Sequence, residues 1–343
     1  MSDSLLPKIS ILMPIYNVQD YVADAIKSIL NQTYQDFELL LLDDCSTDKT
    51  SEIVSQFNDS RIRYHRNENN LGLSENLNVG IRLSKGEYLA RMDGDDISLP
   101  TRLEKQVAIL DKNPEIGICG ASFRFFGTQN STLIQPRNHE DIKIQMLFGC
   151  CVTLVVMRKK VFLQNNLWYS ANAFPAEDYK MWADCLHVTK IVNTQEVLFL
   201  YRMHETQIST TRAILQHQKS NLVRMEILDW LFPNFSIEEK NFFCNNFVPG
   251  QIESEEDYEC FKKYSELIIG KNNEIRNFDS KLLDLKFKNH IKLAYANYKF
   301  QLYFSNGFTL KNYRKFVYDR SFRLFNIYKN ITYFIKSVFS YKN

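Results

Sequence analysis

The chain has 343 residues, of which 45% are hydrophobic and 24% are charged, and its formal net charge is +2. These proportions are typical of a folded protein with a sizeable core, and they exclude a disordered or collagen-like chain. No apolar run reaches the ~18 residues that a membrane-spanning helix needs, and the N-terminus MSDSLLPKIS lacks the regions of a secretory signal, so we expect a cytoplasmic protein.

Short apolar runs alternate with helical patterns over the first 110 residues. Asn17 is a good cap for the first helix, which would begin at Val18. Four alternations of strand and helix predict parallel strands joined by crossover helices, an α/β domain with helices on both faces of its sheet. The predicted strands cover residues 8–14, 37–44, 62–65 and 87–93, and the predicted helices cover 18–30, 48–57, 74–83 and 100–110.

The pattern is less regular after residue 115, and from about residue 206 the chain is predicted to be almost wholly helical. No repeat or low-complexity linker marks a border between the two parts. The predicted strands here lie near 116–126, 152–157 and 190–200, and the predicted helices lie near 138–148 and 177–188.

Polar residues follow three of the predicted strands, where each strand ends. In open α/β sheets, ligands bind in the crevice outside the carboxyl ends of the strands. We therefore expect these residues to converge on one crevice. They are Tyr16 and Asn17 after the first strand, Asp43, Asp44 and Ser46 after the second, and Asp93, Asp95 and Asp96 after the fourth.

The segment RMDGDDISLP at 91–100 places three carboxylates within four positions. A solvated acidic turn is one interpretation, and a D-x-D pattern alone is weak evidence against it. Carboxylates together with substrate phosphates are also the usual way in which a protein holds Mg²⁺ or Mn²⁺. The position directly after a strand favours this metal-site interpretation.

Asp44 in the segment DDCSTDKT could accept a hydrogen bond from a ligand such as the imide N–H of uracil. Pro14, Ile15 and Tyr16 could form the opposite wall, with the Tyr16 ring stacked on the base. The alternative is that this segment only caps the next helix. Because the chain has neither a G-x-G-x-x-G nor a P-loop motif, a dinucleotide dehydrogenase or P-loop NTPase is disfavoured.

Two further segments carry possible functional residues. In PAEDYKMW, Glu177 and Asp178 come at a predicted helix start, where they could act chemically or simply favour the positive end of the helix dipole. In YRMHETQIS, Arg202 and His204 follow a predicted strand. A single histidine is more often structural than a ligand, so His204 alone decides nothing.

Taken together, six segments in order resemble the motifs of family 2 glycosyltransferases, which are inverting enzymes of the GT-A fold. The resemblance covers about residues 7–212, and it implies a mixed, Rossmann-like sheet in a catalytic domain at 1–212. It does not cover the tail, where the helical pattern predicts a helical extension at 213–343. The segments are MPIYN (13–17), LLLDDCSTD (40–48), NNLGLSENLNVG (69–80), ARMDGDD (90–96), AEDYKMW (176–182) and YRMHETQIS (201–209).

The resemblance also implies roles for individual residues. It assigns the uridine and sugar of a UDP-sugar donor to Pro14, Ile15, Tyr16, Asp44, Asn78, Asp93 and Asp95, the divalent cation (Mn²⁺ or Mg²⁺) to Asp95 and His204, and acceptor activation to Asp178 with Glu177 beside it. Cys45 stands where the family commonly has glycine. The Q-x-x-R-W signature of processive polymerases is absent, so we expect transfer of one hexosyl or N-acetylhexosaminyl group per encounter.

Residues 281–343 carry 13 Lys and Arg against two Asp, and they hold 17 of the 46 aromatic residues. This region could be an ordinary helical subdomain, but it also suits an anionic membrane surface. We expect attachment to the inner membrane beside a lipid-linked saccharide acceptor, as in bacterial lipopolysaccharide, O-antigen or capsule synthesis. Nucleic acid is not expected, because no binding motif accompanies the charge. A nucleotidyltransferase and a non-catalytic nucleotide-sugar or glycan-binding module remain as alternatives.

Overall fold

The computed structural model describes residues 6–205, 207–325, 329 and 332–333. The chain divides into two compact units, Met1–Ile227 and Leu228–Asn343. The first unit contains the sheet, and the second is helical. The predicted border at residue 212 stays a prediction about where the catalytic part ends.

The described residues of the first unit form a nine-stranded mixed sheet in the order β3-β2-β1-β4-β8-β6-β9-β5, with β7 paired to β6. Strands β1 to β4 run parallel, as predicted, whereas β8 is antiparallel to both β4 and β6, and β6 is parallel to β9. The strands are β1 (Ile9–Ile15), β2 (Phe37–Asp43), β3 (Ile62–Arg66), β4 (Tyr88–Arg91), β5 (Ile97–Ser98), β6 (Ile116–Gly127), β7 (Thr132–Leu133), β8 (Val156–Arg158) and β9 (Lys190–Met203).

The central strands are apolar on both faces because helices cover both faces of the sheet. Every residue of β1 and β2 is buried. The helices of this unit are α1 (Val22–Leu30), α2 (Thr50–Val54), α3 (Leu73–Leu83), α4 (Arg102–Lys112), α5 (His139–Gln145), α6 (Lys159–Gln164), α7 (Glu177–Cys185) and α8 (Ile208–Thr211), with a 3₁₀ turn at Ala171–Ala173.

The predicted cap of the first helix is wrong. Helix α1 begins at Val22 with Tyr21 as its N-cap, whereas Asn17 lies in the left-handed region at φ 53°. Asparagine tolerates that conformation better than most residues. Its side-chain Oδ1 accepts a hydrogen bond from the Thr47 backbone N–H at 2.8 Å, so Asn17 joins the loop after β1 to the loop after β2.

Helix α9 (Ala213–Leu231) contains the border between the units. The second unit is built around aromatic side chains: the Phe247 ring lies 5.2 to 5.6 Å from the rings of Phe243, Phe261, Tyr264 and Phe287. Its elements are α10 (Ile237–Phe242), a π-helical segment Phe243–Phe247, α11 (Glu255–Ile275), α12 (Ser280–Phe304), α13 (Leu310–Tyr318) and a 3₁₀ turn Ser321–Leu324.

Many aromatic residues of the second unit are therefore core residues. The rest of the predicted basic and aromatic region, at 326–328, 330–331 and 334–343, lies outside the described residues. In the part of the chain that the structure describes, no helix has the length and apolar character needed to cross a membrane.

Candidate active site

The loops that follow β1, β2 and β4 meet at the carboxyl ends of the strands. The Asp44 backbone N–H donates to the Ile15 carbonyl at 3.0 Å, which joins the first two loops. Gly94 in the third loop packs so closely that a β-carbon there would lie 2.9 Å from Ile15 Cγ2 and 3.4 Å from the Pro14 carbonyl oxygen. The three loops that were predicted to converge therefore do meet, and the crevice between them stays a prediction.

One wall of the predicted crevice would come from the end of β1. Pro14 and Ile15 are buried, while the Tyr16 side chain is 48% exposed. An exposed ring at the end of a buried strand can present its face to a ligand, and a nucleotide base is a suitable partner for such a ring. The binding of uridine by these three residues stays a prediction.

Asp44 organises the loop that leads into α3. Its buried carboxylate accepts hydrogen bonds from the Asn67 side chain at 2.9 Å, the Leu71 backbone N–H at 2.8 Å and the Gly72 backbone N–H at 2.8 Å. Gly72 has a φ of 81°, a conformation that glycine adopts without strain. Asp44 thus holds residues 67–72 in place at the edge of the crevice, and its contact with uracil stays a prediction.

Asn78 on α3 uses both polar atoms of its side chain on the backbone of Tyr169. Its Nδ2 donates to the Tyr169 carbonyl at 3.0 Å, and its Oδ1 accepts from the Tyr169 N–H at 2.9 Å. This pair of hydrogen bonds ties α3 to the segment that precedes α7. A direct contact between Asn78 and a donor stays a prediction.

The acidic loop after β4 is fastened to the end of β9. The Arg202 N–H donates to Asp96 Oδ1 at 2.8 Å, and its Nε donates to the Asp95 carbonyl at 2.7 Å. These bonds bring His204 Nε2 to 3.1 Å from Asp95 Oδ2. Burial and the negative charge of Asp93 raise the pKa of Asp95, and burial with the charges of Asp95 and Asp93 raises the pKa of Asp96 well above its usual range.

Asp95 and His204 form a donor set that suits a divalent cation. A carboxylate and an imidazole nitrogen are both ligands for Mn²⁺, and the two side chains are only partly exposed. Among the described residues there is no group of three or more His, Cys, Asp or Glu that could hold a metal by itself. A site with few protein ligands fits a cation whose remaining positions are filled by substrate phosphates and water.

Arg91, to which the sequence motifs gave no role, connects the acidic loop to α7. It is the last residue of β4 and is only 6% exposed. Its Nη1 donates to Asp93 Oδ2 at 2.7 Å, and its Nε lies 3.3 Å from Asp178 Oδ1. Its charge at the end of the apolar strand YLAR is the signal that could have found it, since a buried charge needs a partner.

Glu177 and Asp178 begin α7, as predicted. Burial and the neighbouring charge of Asp178 raise the pKa of Glu177 to about 7, and burial also raises the pKa of Asp178. Among the described residues, Glu177 Oε2 has no hydrogen-bond partner. The structure therefore brings Asp93, Asp95, His204 and Asp178 to one region, with Arg91 between the acidic loop and the helix.

We expect Glu177→Gln to stabilise the fold at high pH. Between its ordinary pKa of 4.5 and the value of about 7 in the fold, the folded state holds a proton that the unfolded state has lost, so stability falls as pH rises through this interval. Above it the ionised carboxylate costs roughly 3 kcal/mol, at 1.36 kcal/mol per pKa unit. Melting temperatures of wild type and variant should agree near pH 4.5 and diverge by pH 8, with the variant higher.

The matched control for this prediction is Glu256→Gln, which alters an exposed glutamate in the first turn of α11. This control should follow the wild-type curve of melting temperature against pH. Equal pH dependence of wild type and Glu177→Gln would contradict the prediction.

The sheet, the flanking helices and the polar strand ends define an α/β protein of the GT-A type, as the sequence predicted. A crystal structure of S. aureus TarS in complex with UDP-GlcNAc shares this fold with a TM-score of 0.59 at 16% identity, covering 84% of this chain and 91% of that one. The model of the family described as glycosyl transferase family 2 matches residues 10–167.

Curated relatives agree with this family. An uncharacterized glycosyltransferase of Haemophilus influenzae is 30% identical over 249 residues, which are 68% of this chain and 77% of that protein. The Escherichia coli protein WfgD, a UDP-Glc:alpha-D-GlcNAc-diphosphoundecaprenol beta-1,3-glucosyltransferase, is 30% identical over 209 residues, which are 60% of this chain and 80% of that protein. The chain belongs to glycosyl transferase family 2, and it is a glycosyltransferase, as the motifs predicted.

Proposed function

We propose that this glycosyltransferase moves one sugar from a UDP-sugar to a saccharide hydroxyl with inversion at the anomeric carbon. The observation that carries the proposal is the connection of the Asp95 and His204 pair with Asp178 at one end of the sheet. Asp93 acts on Asp95 through its charge and is bonded to Arg91, which in turn contacts Asp178. Groups suited to a cation-bound diphosphate and to a general base thus lie in one region.

A uridine nucleotide is the donor that we favour. The exposed Tyr16 ring directly follows Ile15, whose carbonyl accepts a hydrogen bond from the Asp44 N–H, and this supports a base-binding wall. WfgD uses UDP-Glc according to its name, and TarS, which shares the fold, was crystallised with UDP-GlcNAc. We therefore propose a hexosyl or N-acetylhexosaminyl donor of the UDP class.

Asp95 and His204 are the residues that would hold Mn²⁺ or Mg²⁺. When bound, such a cation neutralises negative charge on the departing diphosphate. The Asp95 carboxylate lies in a region where the charge of Asp93 acts against its ionisation. A bound cation would relieve this repulsion, because opposite charge favours the ionised form of a carboxyl group.

Asp178 is the proposed general base. Its side chain is half-buried, so it can be reached by an acceptor hydroxyl while part of it stays against the protein. Removal of the hydroxyl proton as the new bond forms is a positioned-base effect of roughly 10²- to 10⁴-fold. Glu177 lies beside it. Because its pKa is raised to about 7, Glu177 is mostly protonated below neutral pH and adds no further negative charge next to Asp178.

We propose that the acceptor is lipid-linked and that the enzyme works at the inner face of a bacterial membrane, in lipopolysaccharide, O-antigen or capsule synthesis. WfgD acts on a diphosphoundecaprenol-linked sugar according to its name. Helix α13 supports a membrane contact, since it buries Phe316 while Lys311, Arg314, Lys315 and Tyr318 are exposed. Each Lys or Arg near an anionic surface contributes about 1 kcal/mol.

A ligand panel tests the proposed donor. We expect UDP-glucose, UDP-galactose or one of their N-acetyl forms to raise the melting temperature with Mn²⁺ present, and GDP- and dTDP-sugars to raise it less. Enzyme with the preferred donor and an acceptor mixture should then release UDP. Stabilisation by GDP-sugars alone would contradict the donor class. Release of pyrophosphate from a nucleoside triphosphate would indicate a nucleotidyltransferase, and binding without turnover would indicate a non-catalytic module.

A further inference from the structure

The Arg91 side chain spans the two carboxylates that the proposed function assigns to donor and acceptor. Resting on that proposed function, we infer that Arg91 is a positioning residue: its guanidinium holds Asp178 in the orientation that faces the acceptor hydroxyl and links this base to Asp93 on the donor side. Neither the motifs nor the comparisons give Arg91 a role.

The backbone of Arg91 is held on both sides, which fixes where its side chain begins. Its N–H donates to the Val155 carbonyl at 2.9 Å, and its carbonyl accepts from Arg102 Nη2 at 2.6 Å. Arg102 is itself fully buried on α4. A guanidinium on such an anchored strand end has little freedom, and rigid support is what a precisely oriented catalytic group requires.

The two contacts of the guanidinium differ in kind. The bond to Asp93 Oδ2 is a hydrogen bond of 2.7 Å, whereas the contact between Arg91 Nε and Asp178 Oδ1 is an ion pair at 3.3 Å. Among the described residues, neither Nε nor Oδ1 has a hydrogen-bond partner. Asp178 Oδ1 is buried and faces the charge of Arg91, so the partial exposure of the Asp178 side chain belongs to its other atoms, where an acceptor hydroxyl would reach it.

Several ionisable groups surround this pair. Burial acts against the charged form of Arg91, but the charges of Asp178, Asp93 and Glu177 outweigh it and raise the pKa of Arg91 well above its ordinary value. Burial and the charge of Asp178 likewise raise the pKa of Tyr169, so its hydroxyl stays neutral. Without the guanidinium, the carboxylates would repel one another and Asp178 would hold a proton up to a higher pH.

The charge balance of the reaction fits this arrangement. The acceptor O–H bond breaks, its proton goes to Asp178, and the electron pair forms the new bond to the anomeric carbon. The bond from that carbon to the UDP oxygen breaks, and UDP leaves with its electron pair. Neutralised Asp178 no longer balances Arg91, but Asp93 at 2.7 Å still does, so no unpaired buried cation results.

The test compares Arg91→Met and Arg91→Lys with Arg158→Met as the matched control. Arg158 is an equally buried arginine, the last residue of β8, which pairs in register with Tyr88 at the other end of β4 and donates to backbone carbonyls. Turnover, acceptor KM and UDP affinity with Mn²⁺ are measured for each variant, together with kcat/KM from pH 5 to 9.

We expect Arg91→Met to lower kcat by about 100-fold, the lower range of a positioned-base effect, while UDP affinity changes by less than about threefold. In the plot of kcat/KM against pH, the acidic limb should move to higher pH. Asp178 must be ionised to act, and this variant lacks the guanidinium that favours its ionised form. Arg91→Lys should have a kcat about tenfold higher than Arg91→Met, and its acidic limb should return to the wild-type pH. Arg158→Met should lower the melting temperature and leave kcat and the limb unchanged.

A folded Arg91→Met enzyme with wild-type kcat and pH profile would overturn the inference, and so would a fall in UDP affinity equal to the fall in kcat. If that variant does not fold, Arg91→Lys decides, and wild-type kcat in it would also overturn the inference. Failure of the proposed function is seen separately, since wild-type enzyme would then release no UDP from any UDP-sugar or Asp178→Asn would remain active.

Discussion

Asp178→Asn is expected to lower sugar transfer by roughly 10²-fold or more, the range of a positioned general base. Asparagine has nearly the same shape and can occupy the place beside Arg91, but it cannot accept the acceptor proton. UDP affinity should stay at the wild-type value, because donor binding is assigned to other elements. Turnover is measured as UDP released per enzyme, and UDP binding is measured by calorimetry with Mn²⁺ present.

The control for this variant is Asp184→Asn on the same helix. Asp184 Oδ1 lies 2.6 Å from Lys180 Nζ and is partly exposed, so its change alters one surface ion pair of α7. Such pairs contribute little to stability, and transfer should be unchanged. Wild-type turnover in Asp178→Asn would remove Asp178 from the role of base and leave Glu177 to be tested in the same way.

Asp95→Ala is expected to abolish the gain in UDP affinity that Mn²⁺ gives the wild type, a loss of roughly tenfold or more, because Asp95 is one of the two side chains that would hold the cation. The folded state should not lose stability, because burial and Asp93 already disfavour the Asp95 carboxylate. Calorimetric titration with UDP, with and without Mn²⁺, measures the effect. His204→Ala should change it in the same direction.

Asp36→Ala is the matched control, since Asp36 is exposed just before β2 at the opposite end of the strands. Its titration curves should equal those of the wild type. If Asp95→Ala kept the full response to Mn²⁺, the Asp95 and His204 pair would be a structural ion pair, and the cation would have to be held elsewhere.

Local sequence patterns predicted most elements of the first unit. The strand predicted at residues 8–14 is observed at Ile9–Ile15, and the helix predicted at 74–83 is observed at Leu73–Leu83. These elements can be predicted from sequence because a strand covered on both faces is mostly apolar, and a helix that covers a sheet has one apolar face. The left-handed conformation of Asn17 could not be predicted from local sequence, because it is stabilised by contacts with the loop after β2.

The order of six motifs identified the family from sequence alone, and the strand-end rule predicted which loops would meet. Tertiary structure decided which side chains touch. Asp95 and His204 are 109 residues apart, and Asn78 and Tyr169 are 91 apart. Their contacts depend on β8, β6 and β9 joining the sheet beside β4, and that order is set by packing between distant segments, on which local periodicity carries no information. Arg91 acquired its place between Asp93 and Asp178 for the same reason.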